Sequence, residues 1–121
     1  MFVELPQLNE GEHYAGICIV DGKVSHHLVL LPQESPDVTW QGAIDWAKSV
    51  NGELPTRFEA ALLYANLRDK ADNDYWHWTA TLVAGYESSA WIQVFGDGGQ
   101  YYGHKGGHGR ARAVRRVEIA T

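Results

Sequence analysis

Apolar and polar residues alternate in two runs around Asp21-Gly22, HYAGICIV before it and KVSHHLVLLP after it. Period-two runs flanking an Asp-Gly pair predict a β-hairpin. In the first run Ala15, Ile17 and Ile19 fall on one side and Cys18 and Val20 on the other. Both sides are apolar, so this strand is expected in the middle of a sheet. His26 and His27 take opposite sides of the second run and read as satisfied or solvated strand histidines, not ligands.

The period then changes. In DVTWQGAIDWAKSVNG, Trp40, Ala43, Ile44 and Ala47 recur at helical spacing. Asp37 or Thr39 can cap this helix, and Asn51-Gly52 supplies a left-handed stop. A second helix follows in LPTRFEAALLYANLRDK, where Thr56 and Glu59 have the spacing of a capping box and Ala60, Leu63 and Leu67 form the buried stripe. Beyond Lys70, short strands are predicted at about Tyr75–Ala80, Ala90–Phe95 and Gln100–Gly103, with Gly96–Gly99 turning between the last two. Trp91, Gln93 and Phe95 share a strand side, so Trp91 and Phe95 are both expected to be buried.

The chain closes on GHKGGHG, read as a mobile glycine loop, and RARAVRRVEI, read as a last strand over Arg110–Ile119. On that strand Arg115 shares its side with Ala111, Ala113, Val117 and Ile119. A charge on an apolar side must be paired. The expected partner is Glu59. A hairpin, two helices and a run of strands, without βαβ alternation, predict a single α+β domain over residues 1–121.

Composition narrows the chemistry. Five tryptophans and six tyrosines mark a globular chain, and a net charge of −5 argues against general affinity for nucleic acid. Cys18 is the only cysteine, which excludes an internal disulfide and a thiolate zinc cage. Mid-strand among apolar neighbours, it reads as an inert thiol. The amino-terminal stretch has no basic segment leading into an apolar one, and no apolar run is long enough to span a membrane. The expected setting is a cytoplasm, or a particle assembled inside one.

Four motifs carry a resemblance that extends over residues 13–119. They are Leu54-Pro55-Thr56-Arg57 with Glu59, Tyr75-Trp76, Ala90-Trp91 with Phe95 and Gly98, and Arg112 with Val114-Arg115. Together they resemble C-type-lectin-like domains of the Lcl C-terminal type found in phage and prophage proteins. Trp78 departs from the pattern, where serine or threonine is usual. The resemblance implies that the first and last strands pair, and that long loops of the second half crowd one ligand-binding face. It does not fix an activity, because this fold hosts adhesins, receptor-binding tips, variable ligand binders and a sulfatase-activating enzyme.

Individual residues offer little catalysis. Asp69, Asp72 and Asp74 follow a helix end and read as solvated. The Glu-Pro-Asn and Trp-Asn-Asp triplets of calcium-dependent lectins are absent. His104 and His108, with His77, have zinc-like spacing only on a helix, which the surrounding glycines forbid. No metal and no cofactor are expected. Arg110 and Arg112 beside Tyr101 and Tyr102 suggest a nucleic-acid grip that the net charge disfavours.

The reading is a non-catalytic binding module, phage or prophage encoded, that holds a protein or glycan ligand. Its expected contacts are Trp78, Tyr86, Tyr101 and Tyr102, joined by His104, Lys105 and Arg110. Thr56, Glu59, Trp91, Phe95 and Arg115 are expected to be structural. The alternative is a small intracellular phage protein that blocks a host enzyme or defence complex.

Overall fold

The computed structural model describes residues 3–120, so Met1 and Phe2, the start of the stretch read above for a leader, lie outside it. The described residues form an α+β domain. β1 (His13–Val20) and β2 (Lys23–Glu34) make the expected hairpin, with Asp21 and Gly22 both at positive φ, 52° and 76°. That pair of dihedrals matches the right-handed strand twist.

The first correction concerns β1. It is an edge strand, and β2 is central: the sheet order is β1-β2-β6, with β6 covering Arg112–Glu118. The first and last strands therefore share a sheet but do not pair. The hairpin occupies one edge of β2 and the closing strand takes the other. Burial follows from this, because the run from His26 to Leu31 is buried on both faces. In β1 a register shift at Gly16 (φ 137°) breaks the alternation, so Ala15 and Cys18 both turn inward while Ile17 and Ile19 are exposed.

Both helices form as the sequence indicates. Thr39 caps α1 (Trp40–Ser49) through its Oγ1, which accepts from the Gly42 N–H, and Asn51 (φ 62°) ends it. Thr56 and Glu59 complete a reciprocal capping box on α2 (Arg57–Leu67). A single 3₁₀ turn, Arg68–Lys70, follows. Among the described residues no helix is long and apolar enough to cross a membrane.

The second sheet runs in the order β3 (Trp76–Val83), β4 (Tyr86–Val94) and β5 (Gln100–His104). Its strands are longer and its connections shorter than expected, because Leu82 and Val83 pair back onto Ala90 and Tyr86 around a tight Gly85 turn. The long loops expected in the second half are confined to the connection between β5 and the closing strand, residues 105–111. Two apolar clusters fill the interior. One lies under α1 and gathers Leu31, Ala43, Ala47, Leu54, Trp78, Ile92 and Ala113. The other lies under α2, with Cys18, Leu28, Leu30, Leu63, Phe95 and Val114.

Residues 104–111 stitch the two sheets together. Gly109 exchanges backbone hydrogen bonds with Val38 at 2.8 and 2.9 Å, and Arg110 does the same with Trp76 and Trp78 on β3. A side chain at Gly109 would collide with the Trp76 ring. Lys105 N–H donates to the Ser88 carbonyl, and the Lys105 carbonyl accepts from Trp40 N–H. The glycine loop expected to be mobile is bonded along its length; its glycines are there for close packing.

Two of the expected structural residues need correcting. Phe95 is buried, but Trp91 is only half-buried. Arg115 does not reach Glu59. It holds Glu12 through two bonds, at 2.9 and 3.0 Å, and donates to the Gln7 carbonyl. Glu59 is paired instead with Arg116, at 2.7 and 2.8 Å. The alternation along β6 is as read, but α2 covers the side of Val114 and Arg116, and the amino-terminal segment covers the side of Arg115.

Glu59 is 2% exposed and accepts from Arg116, from the Thr56 N–H and from the His26 ring. Burial pushes its carboxyl up, but those partners outweigh it and hold it at about 2, against an ordinary 4.5. Glu12 is also held at about 2, chiefly by Arg115.

The pairing predicts an asymmetry among the arginines. Arg116→Ala strands a buried carboxylate and should cost ~3–5 kcal/mol, whereas Arg110→Ala, which loses the exposed partner Asp37, should cost ~1 kcal/mol or less. Urea melts of the two variants check this, and equal midpoints would refute the structural role of the buried Glu59–Arg116 pair. Both carboxyls are depressed, so their stabilisation is complete above pH 4.5 and drains away as pH falls toward 2. The Glu59 share is about 3 kcal/mol. Unfolding free energies measured from pH 5 to pH 2 should show the fall, with a shallower slope in Glu59→Gln.

Candidate aromatic binding face

The outer side of the β3-β4-β5 sheet follows from its register. Ser89 opposes His104, Trp91 opposes Tyr102 and Gln93 opposes Gln100, so these six residues share one side. The opposite side carries Ala90, Ile92 and Gly103 against Trp78 in the core. On the outer side the Trp91 and Tyr102 rings meet edge to face at 4.7 Å, and Tyr102 and Tyr86 lie 6.0 Å apart, tilted by 40°. The Arg57 guanidinium stacks on Trp91 at 3.5 Å from the ring centre. Arg57, Trp91, Tyr102 and Tyr86 thus form one continuous ladder.

Amides lock its base. Arg57 Nε donates to Gln100 Oε1, and Gln100 Nε2 donates back to the Arg57 carbonyl, each at 2.8 Å. Gln100 Nε2 also reaches Gln93 Oε1, and Gln93 is buried. At the far end Tyr86 and Tyr102 are 62% and 57% exposed. Two large rings held by a rigid base but left in water match the pattern of binding hot spots, since aromatics bury much area at small entropic cost.

The structure sorts the expected contacts into four groups. Tyr86, Tyr102 and His104 lie on this face, although His104 spends Nδ1 on the Gly106 N–H. Tyr101 is exposed but points to the other side, its hydroxyl donating to Asp97. Lys105 stacks on Trp40 and Arg110 on Tyr75, so each clamps the chain elsewhere. Trp78 is wrong as a contact. It is 1% exposed, and its indole N–H donates to the Val38 carbonyl. The bulky residue at that position fills the core beneath Gly103, which lacks a side chain to compete.

Arg57 and Gln100 were missed. Arg57 reads as the first helical residue of the capping motif, and only the packing of α2 beside β4 and β5 brings it over Trp91. Nothing in the local pattern marks it.

The buried polar groups are engaged in structure. His27 bonds with the Tyr14 hydroxyl at 2.7 Å and His77 Nε2 with Glu34 at 2.7 Å; His77 Nδ1 is buried without a partner among the described residues, and His77 does not converge with the exposed His104 and His108. Asp69, Asp72 and Asp74 are exposed, as expected. Among the described residues one set of three ligand-type side chains converges: the donor atoms of Cys18, His26 and Glu59 lie within 4.8 Å of one another. The geometry does not suit a cation. Arg116 neutralises the carboxylate, His26 Nε2 is bonded to it, and burial pushes the Cys18 thiol up to about 11. A dication would displace these bonds and sit against a guanidinium. A cleft of about 620 Å³ lies beside Ile44, Leu54, Ala80 and Lys48, and Arg116 in its wall is already paired with Glu59.

Compared with known proteins, the chain matches no protein-family model, and no curated protein matches it.

Cys18 should therefore be chemically silent. Iodoacetamide at pH 8 is expected to leave it unmodified in folded protein and to label it fully in urea, read by intact mass. Labelling of the native state, or a thermal shift on adding zinc, would show that the cluster opens.

Proposed function

We propose that this protein is a non-catalytic binding module that recognises a protein or glycan ligand through the face made by Arg57, Trp91, Tyr102 and Tyr86. The observation that carries the proposal is the pair of exposed tyrosines, set on a half-buried tryptophan and fixed by the Arg57–Gln100 amide lock. Such a surface excludes water from a ligand ring or side chain without reorganising. What supports a non-catalytic reading is that Glu59 is tied to Arg116 and His26, that Glu34 is tied to His77, and that burial keeps the Cys18 thiol protonated.

The C-type-lectin-like resemblance, and the phage or prophage setting it implies, belong to the same proposal. What supports it is the order of elements: an amino-terminal hairpin, two helices, a three-stranded sheet, and a closing strand that returns to the hairpin sheet. The ligand face differs from the one the resemblance implies, being the flat of a sheet in place of loops.

The test is a screen of immobilised glycans and displayed peptides with the native chain and with Tyr86→Ala/Tyr102→Ala. Ligands retained by the native chain should be lost by the double variant, while its melting temperature moves by no more than a few degrees, as for exposed positions. Retention unchanged in the double variant would place the ligand elsewhere.

A further inference from the structure

We infer that the ligand of this face is an extended acidic segment of a partner protein, added as a fourth strand along β5 with one carboxylate on Arg57. This rests on the binding-module reading and names the ligand class for it. The first observation is the edge itself. β5 is the outer strand of its sheet, and its ladder to β4 is bracketed by Val94 N–H donating to Gly99 and Lys105 N–H donating to Ser88, both at 2.9 Å. Antiparallel pairing alternates, so residues 99, 101, 103 and 105 direct their backbone groups at β4. The N–H and C=O groups of Gln100 and Tyr102 and the N–H of His104 therefore point off the edge, while the His104 carbonyl accepts from Gly107 N–H at 2.8 Å. No lysine, proline or bulge within Gln100–His104 blunts it, the devices that edges use against unwanted pairing. An extended peptide is the ligand that uses such a row.

The second observation is charge. Arg110, Arg112, Arg115 and Arg116 each pair with a carboxylate of this chain. No carboxylate among the described residues pairs with Arg57. Its Nε is spent on Gln100 and one face on Trp91, which orders the guanidinium while its terminal nitrogens find no acceptor among the described residues. A planar cation held in this way, with no carboxylate of its own among the described residues, suits a carboxylate brought from outside. A glycan would use the tyrosine rings but has no use for the β5 backbone. A second copy pairing through β5 would bring Arg57 no carboxylate from the strand itself, since Gln100–His104 contains none.

The experiment selects displayed random dodecapeptides on the immobilised full chain, then synthesises the enriched sequences. The expected peptides carry an aspartate or glutamate within an alternating β-branched or aromatic pattern. Their Kd should weaken by about tenfold in Arg57→Gln, the size of one charge-assisted contact, and partially in Arg57→Lys, which keeps the charge but loses the plane. Methylation of alternate peptide backbone nitrogens should abolish binding. Enriched peptides indifferent to Arg57→Gln or to N-methylation would overturn the inference, as would a failure to enrich any. Retention on polygalacturonate that depends on Arg57 and Tyr102, with no peptide enriched, overturns the peptide and leaves the binding face standing. Sedimentation showing dimers that Tyr102→Ala dissociates would assign the edge to a second copy and overturn it also. Insensitivity of every captured ligand to Tyr86→Ala/Tyr102→Ala sinks both readings together.

Discussion

A single buried carboxylate holds three parts of this chain in register. Glu59 sits in the first turn of α2, where it closes the capping box on Thr56. The same two oxygens receive Arg116 from the closing strand and His26 from the central strand. An unpaired carboxylate in that position would be prohibitively unstable, so the helix start, β2 and β6 must arrive together or not at all. The apolar cluster beneath, with Leu28, Leu63 and Val114, adds burial, but burial is non-directional. The ion pair fixes which residue of β6 faces the helix.

The closing segment does the corresponding work between the sheets. Arg110 bridges to β3, and two residues later the chain joins β2. Small residues permit this crossing: Gly109 lies flat on Trp76, and Ala111 and Ala113 are fully buried under α1. Aromatic bulk on one side is thus matched by absent side chains on the other. The same complementarity explains Trp78, whose ring sits over Gly103. It also explains why Trp76 and Trp78 are structural, while Tyr86 and Tyr102 are the most exposed of the described aromatic residues.

That division bears on function. Polar groups inside the molecule are largely spent on one another, as in Glu59 with Arg116 and His26, and Glu34 with His77 Nε2, although His77 Nδ1 and Arg112 Nε are buried without a partner among the described residues. Polar and aromatic groups on the outer sheet face are ordered without being consumed. Arg57 is rigid yet unpaired with any described carboxylate, and the two tyrosines are supported from below yet open above. Order without satisfaction is what a recognition surface requires, because the ordering entropy has been spent before the ligand arrives.

The sequence by itself determined the local elements. Asp-Gly between alternating runs forced the hairpin, and Thr56 with Glu59 forced the helix start, since these depend on contacts within a few residues. The α+β class and the buried Phe95 were legible for the same reason. Part of the candidate face was legible too: Tyr86 and Tyr102 are aromatic residues in a polar, glycine-rich context. Tertiary structure decided the rest. The Gly16 shift set which β1 residues turn inward, the side of β6 that α2 covers chose Arg116 over Arg115, and the packing of α2 beside β4 delivered Arg57 to Trp91. Strand periodicity assigns residues to two sides, but it carries no information on what will lie against either. Only the assembled fold supplies that, because opposite sides of a strand differ by what packs on them and not by anything in the strand.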